Sequence, residues 1–84
     1  MKKYIDPENE RNQFMVCPTL NGFAIQALNT SNDMMVALTP QTAAMMQVAL
    51  PKPYRLQSCT LSAAEKQLNE LARLNGRVAL EIQE

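Results

Sequence analysis

Histidine and tryptophan are both missing from the 84 residues, and glycine and cysteine occur only twice each. Without histidine there is no imidazole general base, which removes most serine and cysteine nucleophile arrangements. Cys17 and Cys59 show no Cys-x-x-Cys spacing and have no histidine to complete a ligand set, so none of the familiar zinc sites can form. Gly22 and Gly76 each stand where a turn or a helix end needs them, and no glycine-rich loop is left to cradle a phosphate.

Apolar runs extend only a few residues, against the ~20 that a membrane-spanning helix requires. The opening Met1-Lys2-Lys3-Tyr4-Ile5 has the charge of an export signal. Asp6-Pro7-Glu8 then occupies the place of the apolar stretch that must follow, so no export and a cytoplasmic location are expected. Net charge is missing too: eight basic and eight acidic residues cancel, and a pI near 6.2 supplies no general attraction for nucleic acid or anionic lipid.

What is present is enough apolar character to fold. Hydrophobic residues make up 46% and charged residues 19%, too apolar for disorder, and the length fits one domain. The expected organisation is a polar arm over residues 1–12 and a single domain over 13–84. Such a core supplies only ~3–5 kcal/mol of net stability, so a second copy or a partner subunit is a reasonable way to bury more surface.

Asn21-Gly22 tolerates the positive φ angles of a two-residue hairpin turn, which predicts strands over 14–20 and 23–29. Pairing outward from it sets Leu20 against Phe23, Pro18 against Ile25 and Val16 against Ala27 on one core face, with Phe14 at its end. Pro18 lacks an amide donor, which reads as an edge strand or a bulge. Thr30-Ser31-Asn32-Asp33 turns the chain into a third strand, with Met34, Val36 and Leu38 inward, Val36 beside Ala27 and Leu38 beside Ile25. In the arm, Asp6 to Glu10 reads as one helical turn, with an edge strand at Lys3-Tyr4-Ile5 as the alternative.

Thr39-Pro40 opens a largely buried helix that runs to Leu50 and is stopped by Pro51. After a stiff connector, residues 55–59 read as a short optional strand. Ser62 and Glu65 form a capping box for a second helix with the stripe Leu61, Ala64, Leu68, Leu71 and Ala72, Leu74 at its edge, and Gly76 as its left-handed end. Val78, Leu80 and Ile82 alternate as the inward residues of a last strand. The fold class is α+β: an antiparallel or mixed sheet of four to five strands with two helices packed on one face, in the order β-β-β-α-(β)-α-β.

No catalytic or metal-binding set emerges, and no cofactor is expected. The acids are scattered as solvated charges, and both thiols read as buried and structural. Two surfaces remain. Met15, Cys17, Gln26, Leu28 and Met35 fall on the sheet face opposite the helices, with Thr19, Ala24 and Ala37. That face is too apolar for full hydration and too polar for an ordinary core, so it reads as a contact for another protein or a second copy. Lys52, Tyr54 and Arg55 set two cations around an aromatic, which is the alternative reading as a nucleotide or single-stranded nucleic-acid site. The leading reading is a non-enzymatic adaptor or inhibitor type of accessory protein, a homodimer formed through the open sheet face.

Overall fold

A computed structural model describes the backbone of residues 2–6, 9–29, 34–76 and 78–81, and the side chains of Tyr4, 13–28 and 34–76. The elements run β1 (Lys2–Asp6), β2 (Asn9–Thr19), β3 (Gly22–Asn29), β4 (Met34–Ala37), α1 (Pro40–Met46), α2 (Leu61–Leu74) and β5 (Val78–Glu81). The class is α+β, built on the antiparallel meander of β2, β3 and β4. β1 and β5 extend it in the order β4-β3-β2-β1-β5, and every pairing is antiparallel.

The observed order departs from the expected one at two places. Residues 2–6, read as part of an arm, form an interior strand between β2 and β5. Tyr4 holds it down: its ring is buried and its hydroxyl donates to Asn69 Oδ1 on α2. Asp6, Asn9 and Glu10, read as part of one helical turn, lie in β1 and β2, with Asp6 paired to Asn9 across a register shift, and Pro7 and Glu8 lie outside the described residues. Residues 55–59, the optional strand, contribute only a bridge between Ser58 and Phe23. The chain crosses through both helices from the β4 edge to the opposite edge of the sheet, where β5 pairs antiparallel with β1, so the sheet is not mixed.

The hairpin turns at Leu20-Asn21, one residue before the expected Asn21-Gly22, with Thr19 against Gly22 and Pro18 against Phe23. Neither central residue has a positive φ, so this is not the mirror-image turn. Gly22 takes φ 151° for a different reason: a Cβ on it would lie 2.1 Å from the Ser58 carbonyl oxygen. Val16 faces Ile25 instead of Ala27, a shift of two residues, and an even shift keeps every side chain on its face. Phe14, Val16, Ile25 and Ala27 are accordingly buried, whereas Leu20, expected in the core, is fully exposed at the tip.

Phe23 exchanges both backbone hydrogen bonds with Ser58 at 2.8 Å, so its amide and carbonyl point away from β2. By alternation Pro18 then points its nitrogen toward β1, beyond the end of that strand, where no ladder bond is missed. β2 is therefore an interior strand that tolerates a proline. On the other side of β3, Ala27 pairs with Val36 and the Leu38 amide donates to the Ile25 carbonyl at 3.0 Å, as the alternation predicted. Met34, expected inward, is 60% exposed, and the turn at 30–33 lies outside the described residues.

α2 is the helix that covers the sheet, packing Ala64, Leu68, Leu71 and Ala72 against Phe14, Val16, Ile25 and Ala27. Phe14, Leu38, Leu68 and Leu71 are the largest fully buried side chains, each stabilising by ~2 kcal/mol. The N-cap of α2 is Thr60, whose hydroxyl accepts from the Ala63 amide at 3.1 Å, not Ser62 with Glu65. Leu61 thereby becomes the first helical residue and is exposed, outside the expected stripe. Asn75 caps the C-terminus and Gly76 follows at φ 65°. In β5 the register pairs Tyr4 with Ala79 and Ile5 with Val78. Ala79 thus shares the row of the core residue Tyr4, and Val78 and Leu80 belong to the opposite rows, reversing the expected order. Arg77 and Ile82 lie outside the described residues.

α1 ends at Met46, four residues short of the expected end at Leu50, and buries only Ala43; Met45, on a helix expected to be largely buried, is 79% exposed. The stop lies in the backbone. Gln47 adopts the left-handed conformation at φ 59°, its amide bonds the Ala44 carbonyl, and the Val48 amide bonds the Ala43 carbonyl at 2.8 Å. This is a Schellman cap with glutamine where glycine is favoured. Relief of that strain, less the extra chain entropy of glycine, should make Gln47→Gly more stable by ~0.5–1 kcal/mol, read by thermal unfolding.

Candidate protein-binding face

The face of the sheet turned away from α2 is assembled by register alone. Met15 pairs with Gln26 and Gln26 with Ala37, which makes one row across β2, β3 and β4; Cys17 pairs with Ala24, and Leu28 with Met35. The first row continues through Lys3 of β1 to Leu80 of β5, and another runs from Val78 through Ile5 to Gln13. Met15, Cys17, Gln26, Leu28 and Met35 are thus brought together as the strand alternation predicted. All five are half-buried, shielded by one another with neither helix over them.

The chemistry of this face is soft and uncharged. Among the described side chains of its strands, none that points this way carries a charge. Cys17 Sγ donates to Gln26 Oε1 at 3.2 Å, and burial pushes the Cys17 thiol up, which favours the protonated form that this bond requires. The thioethers of Met15 and Met35 are unbranched and polarizable, able to follow the contours of a partner, and the Gln26 amide supplies one oriented polar group.

In the alternative cluster the aromatic residue is taken up by the core. Lys52 and Arg55 are exposed, but the Tyr54 ring packs against the core and its hydroxyl donates to the Leu38 carbonyl at 2.5 Å. Burial raises the Tyr54 hydroxyl to about 12. The ring is thus anchored at both its body and its hydroxyl while remaining half-buried. Gln67 of α2 and its C-cap Asn75 hold the rest of this connector. Gln67 accepts from the Arg55 amide and donates to the Arg55 carbonyl, each at 2.8 Å. Asn75 accepts from the Ala49 amide at 2.9 Å and donates to its carbonyl at 2.8 Å. Each amide grips one backbone residue as a neighbouring strand would. Their spacing on α2 carries no recognisable signal, because two polar residues on a helix read as solvated surface.

No protein-family model, curated protein or solved structure matches this chain.

The remaining chemistry-bearing groups stay apart. Cys59, read as buried, is exposed, because it stands in the turn that enters α2 and not in a strand. Glu70 is paired with Arg73 on the surface of α2, which holds its carboxyl below the usual range. A shallow groove of about 510 Å³ along α2 is lined by Leu61, Ser62, Glu65, Lys66 and Asn69, and it gathers only one acid and one base. Among the described residues no group of three metal-ligating side chains converges, and no helix is long and apolar enough to cross a membrane.

Proposed function

We propose that this chain is a small non-enzymatic protein-binding domain of the adaptor or inhibitor type, acting as a homodimer whose contact surface is the open face of the sheet. The observation that carries the reading is the uncharged Met15, Leu28 and Met35 surface, which no described helix covers while α2 packs the other side. Antiparallel sheets with one wet face normally alternate apolar and charged residues, whereas the described side chains of β2, β3 and β4 on this face are all uncharged. A domain with so few large core residues also gains most from covering such a face.

Met15→Lys and Leu28→Lys test it, since both lie on interior strands and leave the α2 side untouched. Each should weaken self-association at least tenfold by analytical ultracentrifugation, with far-ultraviolet circular dichroism unchanged, because a buried lysine without a partner costs several kcal/mol at a contact. A wild-type chain that stays strictly monomeric at micromolar concentration, or lysine variants that associate as the wild type does, would remove the homodimer reading.

A further inference from the structure

Apart from its shortness, the outer edge of β4 lacks the features that normally keep a sheet edge from pairing. Met34-Met35-Val36-Ala37 contains no charge and no proline, and no bulge interrupts its ladder with β3. The other edge strand, β5, carries a charge, Glu81, within its span. Within β4 the direction of the backbone groups follows from the ladder. Ile25 bonds toward Leu38, so by alternation Ala27 also bonds toward β4, and Val36, opposite it, points its amide and carbonyl inward to β3. Met35 and Ala37 therefore point theirs outward, and among the described residues these groups have no backbone partner.

We infer that the outer edge of β4 pairs antiparallel with β4 of a second copy of this chain about a two-fold axis through Val36. That axis sets Met35 of each copy opposite Ala37 of the other, and these two residues are the ones with outward groups. Four backbone hydrogen bonds close, two for each such pair, with no donor or acceptor left over between them. The brevity of the strand permits this register and leaves few competitors, because a slip of two residues keeps at most one of the two pairs. A strand from an unrelated protein would satisfy the same groups, but only a second copy brings the matching spacing and the uncharged surface together by symmetry. The edge contact is separate from the face contact proposed above and does not rest on it; it runs the open faces of two copies together into one sheet.

Covalent capture tests the pairing. Val36 would face its own counterpart across a non-hydrogen-bonded position, with Cα atoms ~4.5 Å apart, within the range a disulfide spans. V36C is made in a C17A/C59S background together with Met15→Lys, which disables the face contact, and is oxidised with oxidised glutathione as the electron acceptor. The edge reading expects covalent dimer to form at least tenfold faster than from L20C in the same background, Leu20 being fully exposed and far from β4 in the chain. Ala37→Pro, which removes an outward amide and no ladder bond, should reduce that rate to the L20C level while the circular dichroism stays native. V36C that crosslinks no faster than L20C overturns the inference. So does rapid crosslinking that Ala37→Pro leaves unchanged in a folded protein. If V36C captures dimer only when Met15 is restored, the edge contact is overturned and the face contact stands; if it captures dimer in both backgrounds while Met15→Lys leaves the assembly mass unaltered, the face contact falls and the edge contact stands.

Discussion

Gly22→Ala is expected to destabilise the protein by ~3 kcal/mol, far beyond what a hairpin glycine usually costs. Two terms add. A non-glycine residue at φ 151° is strained by ~1–2 kcal/mol, and the new Cβ would sit 2.1 Å from the Ser58 carbonyl oxygen, a backbone atom that cannot rotate away. Relieving the clash means pulling Ser58 off Phe23, which loses two backbone hydrogen bonds and exposes a buried Ser58, another ~1–2 kcal/mol. Gly76→Ala is the internal control. Its φ of 65° imposes a similar strain, but nothing lies within 4 Å of its Cβ, so it should cost only ~1 kcal/mol. Urea denaturation of both variants measures the difference. Equal losses would mean that the Ser58 approach contributes nothing and that turn geometry alone selects glycine.

The two glycines also mark how far the sequence could be read. The alternation of Phe14, Val16, Ile25, Ala27, Val36 and Leu38 located the meander and its faces, since period two survives a register shift by an even number. The shift itself was invisible. Asn21-Gly22 is the strongest short hairpin signal, and here the glycine answers to Ser58, thirty-six positions along the chain, and not to the turn. β1 was legible only as the alternative edge strand at Lys3-Tyr4-Ile5: the segment has one short apolar pair, and its interior place depends on β5, supplied from the far end of the chain. In the helices, local chemistry decided what periodicity could not. Thr60 and Ser62 are both competent caps, and the geometry selects the earlier one. Gln47 ends α1 in a conformation for which glutamine carries no preference, so the apolar pattern through Leu50 overran the helix. The Met15, Leu28 and Met35 face was legible because it needs only strand parity. The grips of Gln67 and Asn75 on the connector were not, since a bidentate bond to a backbone residue leaves no pattern in the sequence.

Tyr54 separates a structural connector from a ligand-binding one. A tyrosine kept to stack a base would be nearly neutral for stability when replaced, whereas this one joins the connector to the core twice, through its ring and through its bond to the Leu38 carbonyl. Tyr54→Ala should cost ~3 kcal/mol by urea denaturation, at the low end for losing a large ring because the side chain is only half-buried. Tyr54→Phe should cost ~1 kcal/mol, the value of a hydrogen bond whose acceptor is left behind. The alkaline limb gives a second readout. Burial lifts the hydroxyl from 10 to about 12, so between those values the unfolded chain gives up the proton while the folded chain retains it. The stabilisation from keeping the neutral form is complete below pH ~10 and is lost as the pH rises through ~12, a decline of ~2 kcal/mol that Tyr54→Phe should lack. Subtracting the Tyr54→Phe stability profile from that of the wild type isolates this residue from the lysines that titrate in the same range. A wild-type curve parallel to that of Tyr54→Phe, together with a neutral Tyr54→Ala, would detach the ring from the core and restore the connector as a candidate binding surface.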